Sequence, residues 1–111
     1  MIIVTRCPYR ISLLGGGTDL DWFINKFDEG VTVGLSINIY SRVIVSLRSQ
    51  DFSSGILNYS SREEYSSVNT ICHPIIRSCL ELLKIDRPIE LASFGESISG
   101  SGLGSSSSFT V

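Results

Sequence analysis

Apolar and polar residues alternate through much of the chain. Val31, Val33, Leu35, Ile37 and Ile39 occupy odd positions, and Val43, Val45 and Leu47 resume that parity after the polar region 38–42. A period of two places one set of side chains on one face of a strand, so two half-buried strands joined by a bend or tight turn are predicted. The same rule makes residues 2–6 a short strand, interrupted by Pro8, and residues 9–14 a second strand running into Gly15, Gly16 and Gly17. Thr18 or Asp19 then N-caps a helix to about Phe27, with Leu20, Phe23, Ile24 and Phe27 on one side. Trp22, Phe23 and Phe27 at helical spacing read as core aromatics.

Residues 51–68 are rich in serine and acidic groups and lack a clear period, which predicts irregular or weakly stranded surface. Pro74 suits the first turn of a helix to about Lys84, where Ile76, Cys79, Leu80 and Leu83 form a core-facing stripe. His73, before that proline, reads as an N-terminal cap or packing group rather than a catalytic one. A strand over 89–94 leads to the run GSGLGSSSS at 100–108, and Phe109, Thr110 and Val111 resemble the first apolar turn of another helix. The chain is expected to stop inside that element.

Composition narrows the function classes. The 111 residues are 42% hydrophobic and 18% charged, consistent with one packed domain. A formal charge of −2 supplies no basic field, which argues against nucleic acid or an anionic membrane as partner. The apolar run at 2–4 is too short for a signal-peptide core or a membrane span, so a cytoplasmic protein is expected. If Cys72 and Cys79 share a helix, their Cα atoms stand about 10 Å apart, beyond disulfide reach. The three cysteines are therefore expected to be reduced packing residues, and the single histidine leaves no local zinc pattern.

Two constellations carry candidate chemistry. Gly100, Gly102 and Gly104 lie between a predicted strand and a predicted helix, where small residues let backbone N–H groups approach an anion. The serines at 105–108 add hydroxyls that can cap free N–H groups, donate to phosphate or help hold Mg²⁺. No lysine follows the glycines, so this is not a Walker loop. The second constellation, PYRISLLGGGTDL at 8–20, delivers glycines and then Thr18 and Asp19 to a helix start. A carboxylate there can accept from two hydroxyls of a polyol, although an N-cap after a glycine turn explains Asp19 as well. Arg10 is either a phosphate-facing cation or an ordinary exposed charge.

Together the two motifs resemble those of the GHMP kinases, the superfamily of galactokinase, homoserine kinase, mevalonate kinase and phosphomevalonate kinase. GSGLGSSSS is similar to the family's phosphate loop, P-x-x-x-G-L-G-S-S-A, with Ile98 and Ser99 where two prolines usually stand. The GGGTD form, with HPIIRSCLELL at 73–83, most resembles D-glycero-D-manno-heptose phosphate kinases, whereas galactokinases carry G-E-H-T-D. The resemblance implies an α+β fold, a mixed β-sheet with helices packed on one face, residues 1–111 being the amino-terminal ATP-binding domain cut within the helix after the phosphate loop. It implies ATP contacts at Gly100, Gly102, Leu103, Gly104, Ser105 and Ser106, and Mg²⁺ near Ser105 and Ser106. Substrate contacts follow at Gly16, Gly17, Thr18 and Asp19, and a catalytic cation at Arg10.

The implied activity is ATP-dependent phosphorylation of a small-molecule sugar or sugar phosphate, foremost D-glycero-D-manno-heptose 7-phosphate. A galactokinase- or fucokinase-like enzyme and a catalytically dead sugar and ATP sensor are the alternatives. The catalytic base and Mg²⁺ carboxylate would lie beyond Val111, leaving this piece inactive alone.

Overall fold

Strand β1 (Ile2–Leu14) and strand β2 (Val33–Leu47) pair antiparallel along almost their whole length, from Ile2 opposite Ser46 to Leu14 opposite Val33. The computed structural model describes residues 1–49, 51–96 and 100–111; Gln50 and residues 97–99, including the positions of the two family prolines, lie outside them. Strands β3 (Gly55–Asn58), β4 (Arg62–Tyr65) and β5 (Ile89–Gly95) complete a sheet in the order β1-β2-β5-β3-β4. The β3–β5 pair is parallel and the others are antiparallel, so the sheet is mixed, as expected.

The core forms where helix α2 (Pro74–Leu82) meets this sheet. Ile76 and Leu80 of α2 are buried with Leu57, Tyr65, Ile71, Ile89 and Leu91, while Val43, Val45, Leu47 and Phe109 pack alongside. Ile76 and Leu80 of the predicted α2 stripe therefore meet Val43, Val45 and Leu47 of β2, whereas Leu83, Val33 and Leu35 are exposed; α2 ends at Leu82 and Lys84 already has φ +53°. Helix α3 (Ser105–Thr110) starts where the glycine–serine run predicts. No helix among the described residues is long and apolar enough to cross a membrane.

Several expectations are corrected. Pro8 does not break β1, because on an edge strand its missing N–H need not leave a ladder bond unmade. The two strands predicted over 31–47 are one continuous strand, β2, and in place of the bend or turn between them it carries a β-bulge: Pro8 faces Tyr40 and Arg10 faces Ser36, so Tyr9 opposes the three residues 37–39. Residues 51–68 hold the β3–β4 hairpin, in which Leu57 is fully buried and Gly55 makes room for the Tyr65 ring. These four-residue strands are too short to show a period. Burial pushes the Tyr65 phenol pKa up, and its hydroxyl accepts the Ile89 N–H at 3.3 Å.

Helix α1 (Asp21–Phe27) forms, but Leu20, not Thr18 or Asp19, occupies its N-cap, and no side chain caps it. None of its residues is buried, with Trp22 61% and Phe27 52% exposed. Its apolar stripe has the spacing of a core helix but meets no covering surface among the described residues. The helix and the adjoining ends of β1 and β2 extend away from the core. Accordingly the radius of gyration is 16.7 Å, against about 13 Å for a compact domain of this length. Cys72 is exposed and precedes α2; Cys7 and Cys79 are half-buried, and all three thiols are free.

Candidate functional site

The stretch of β1 opposite the β2 bulge, Pro8 to Arg10, is where the two glycine motifs begin to meet. On one side of Tyr9, the Arg10 N–H donates to the Leu103 carbonyl at 3.0 Å; on the other, the Ser108 hydroxyl donates to the Pro8 carbonyl at 3.0 Å. Loop and helix are thereby tied to one short stretch of β1. Tyr9 itself is buried, and its hydroxyl lies so close to Gly95 that a Cβ there would stand 2.8 Å from it.

The loop alternates in backbone hand. Gly100, Gly102 and Gly104 have φ of +80°, +73° and +71°, whereas Ser101 and Leu103 do not enter that region. Glycines at positive φ between residues of ordinary φ are what a backbone cradle for an anion requires. Gly104 is the N-cap of α3. The Arg10 side chain lies over it, with Nε 3.0 Å from where a Gly104 Cβ would be. Arg10 forms no ion pair among the described residues.

The four serines that follow divide into distinct roles. Ser107 donates to the Gly104 carbonyl at 2.9 Å, closing the loop, and the buried Ser108 anchors α3 to β1. Ser105 and Ser106 make no side-chain hydrogen bond among the described residues and line a cavity of about 260 Å³. Their hydroxyls remain available.

That cavity is walled by Tyr59, His73, Ile75 and Phe109. His73 caps α2, as expected, its Nδ1 accepting the Ile76 N–H at 3.3 Å. Its ring stands edge-on to Tyr59, centroids 4.7 Å apart, and 5.6 Å from Phe109. Glu63 braces this wall by accepting the Cys72 N–H and, at 3.1 Å, the Tyr59 hydroxyl. The Cys72 N–H holds the Glu63 carboxyl below the usual carboxylate range, with Tyr59 reinforcing the shift. At the end of β5, Glu96 pairs with Arg42 and accepts the Tyr40 N–H at 3.0 Å, which pins that end to β2.

The other motif closes on itself at the far end of β1. The Thr18 N–H donates to the Gly15 carbonyl at 3.0 Å, and its hydroxyl lies 2.9 Å from that carbonyl and 3.0 Å from that of Val31. Gly15 (φ +77°) approaches Val31 so closely that a Cβ would sit 1.9 Å from its carbonyl oxygen, and Gly30 meets the Thr18 carbonyl equally tightly. Gly16 and Gly17 face open space. Asp19 is exposed in the turn before α1.

The fold therefore joins Arg10 to Leu103 and Gly104, next to Ser105 and Ser106, while Gly16, Gly17, Thr18 and Asp19 form a separate loop on the same strand. No hydrogen bond links the two loops among the described residues. The sequence assigns no role to Tyr9 or Gly30, and it groups Ser108 with the capping or ligand hydroxyls of 105–108, whereas Ser108 is buried and bonded to the Pro8 carbonyl. The aromatic between Pro8 and Arg10 was a signal for the first, but nothing local distinguished the other two.

No family model matches the sequence, and no curated protein does. Solved structures do match. A D-glycero-D-manno-heptose 1-phosphate kinase from Bacteriodes thetaiotaomicron superposes with TM-score 0.75 at 16% identity, over 94% of this chain and 37% of its own. A candidate sugar kinase from Campylobacter jejuni gives 0.73 at 27% identity, over 96% and 37%. The Lactococcus lactis galactokinase complexed with galactose gives 0.74 at 25% identity, over 98% and 30%. The chain thus spans little more than a third of the length of these proteins, or less.

Proposed function

Since the chain belongs to the GHMP kinase superfamily, by fold and by its two glycine-centred motifs, we propose that it is the amino-terminal, nucleotide-binding part of a longer ATP-dependent sugar kinase. The observation that carries this reading is the meeting of Arg10 with the 100–106 loop, which sets a cation from the first motif over the N-cap glycine of the second. Phosphoryl transfer depends mainly on positioning and charge neutralisation, and these groups supply both. The loop amides receive the phosphates, and the Arg10 guanidinium offsets charge gathering on the transferred group. Asp19 accepts hydrogen bonds from acceptor hydroxyls, in a loop that Gly16, Gly17 and Thr18 shape.

In the transfer, the sugar hydroxyl oxygen bonds to the γ-phosphorus, the bond to the bridging oxygen breaks, and ADP leaves. The hydroxyl proton passes to a base outside these 111 residues. Mg²⁺ fits the site in part: Ser105 and Ser106 offer unengaged hard oxygens, but no cluster of acidic groups gathers among the described residues. When bound, the ion draws charge from the phosphate oxygens.

The GGGTD form favours a heptose phosphate as acceptor, foremost D-glycero-D-manno-heptose 7-phosphate. The galactokinase neighbour makes galactose the second acceptor to test. In the full-length protein with ATP and Mg²⁺, Asp19→Ala should raise the acceptor KM or abolish turnover while ATP affinity holds. Equal loss of ATP affinity would refute the assignment of Asp19 to the acceptor.

A further inference from the structure

His73 has one nitrogen whose task is accounted for and one whose task is not. A neutral imidazole carries one donor and one acceptor. Because Nδ1 accepts the Ile76 N–H, the ring proton resides on Nε2. A cap alone does not call for histidine, since asparagine, aspartate and serine are the favoured N-caps. This ring also lines the cavity that Ser105 and Ser106 border, between aromatic walls supplied by Tyr59 and Phe109.

At about 260 Å³ the cavity falls below the ~300–1,000 Å³ typical of sites that enclose a whole drug-sized ligand. It suits one planar portion of a nucleotide whose phosphates rest on the neighbouring loop. Its wall is braced in advance, because Glu63 holds both the Tyr59 hydroxyl and the backbone next to His73.

We propose that His73 is a nucleotide-binding residue: the capping bond locks its tautomer, and the Nε2–H donates to an acceptor nitrogen of a purine base seated against Tyr59 and Phe109. This rests on the reading of residues 100–106 as the phosphate seat. The division of labour is that the loop holds the triphosphate, while His73 recognises the base.

The test uses the full-length protein and calorimetric titration with two ligands, a non-hydrolysable β,γ-imido ATP analogue and inorganic tripolyphosphate. His73→Asn and His73→Ser both keep a side-chain oxygen to accept the Ile76 N–H, so α2 stays capped, but neither reaches as far as Nε2. Expected is a loss of about three- to tenfold in analogue affinity, the worth of one hydrogen bond, with tripolyphosphate affinity and Tm unchanged. Unchanged analogue affinity in both variants overturns the proposal. So does an equal loss for both ligands, which would place the effect in the loop. Failure of tripolyphosphate to bind the wild type removes the phosphate seat itself, and the proposal with it. Should both variants unfold, ribose 5-triphosphate puts the question to the wild type, and affinity equal to that of ATP overturns the base contact.

Discussion

Replacing Ser108 by alanine should loosen the phosphate loop without touching any residue that meets the ligand. Ser108 is 7% exposed, and its hydroxyl holds the Pro8 carbonyl at 3.0 Å. Helix α3 spans six residues in this structure, well short of the roughly 12–15 at which an isolated helix becomes even marginal. Its order therefore comes from tertiary attachments. Losing the bond costs about 0.5–1.5 kcal/mol, and leaving the half-buried Pro8 carbonyl poorly satisfied brings the total to about 1–2 kcal/mol. At about 4 °C per kcal/mol for a domain of this size, Tm should fall by about 4–8 °C. Thermal unfolding followed by circular dichroism measures this directly. Ser107→Ala is the control, since it removes an exposed hydroxyl and a local bond only; its cost should stay within about 0.5 kcal/mol. Equal Tm values for the two variants, or no change in either, would refute the claim that α3 is anchored through β1.

Two further outcomes follow from the same geometry. Gly104→Ala places a Cβ at φ +71° and 3.0 Å from Arg10 Nε, costing about 1–2 kcal/mol in backbone strain. ATP affinity, read by titration, should drop beyond what the Tm change explains. For Glu63, the folded-state pKa is lowered, so its contribution to stability is present above the unfolded value and lost as pH falls through the folded one. The stability gap between wild type and Glu63→Gln, measured by urea unfolding, should therefore be constant at neutral pH and narrow below about pH 4; a gap that widens in acid would contradict this.

What could be read from the residues alone was whatever their neighbours decide. The α2 stripe, the His73–Pro74 helix start, β5 and the glycine–serine entry to α3 carry their signals within a few positions. Pairing decides the rest. Whether Pro8 ends a strand depends on its lying at a sheet edge, and the three residues opposite Tyr9 are a bulge only once β1 and β2 are aligned. The serines at 105–108 are chemically identical, so only their positions around α3 assign two to the cavity, one to the loop and one to β1. Trp22 and Phe27 have core spacing, yet spacing cannot supply the surface that a stripe needs.

The continuity of β1 has a consequence for how such a chain can change length. Arg10, bonded to the phosphate loop, and Gly15, where the second loop begins just past the end of β1, are five positions apart, with one register shift between Ser12 and Leu14. At about 3.3 Å per residue the interval is roughly 16 Å. An insertion or deletion between them would slide one loop by about 3.3 Å relative to the other and turn the strand side chains beyond the change to the opposite face. Chemistry that needs two reactants aligned within a fraction of that step does not survive it. Point changes at residues 11–14 should be widely tolerated, whereas a single-codon indel there should not.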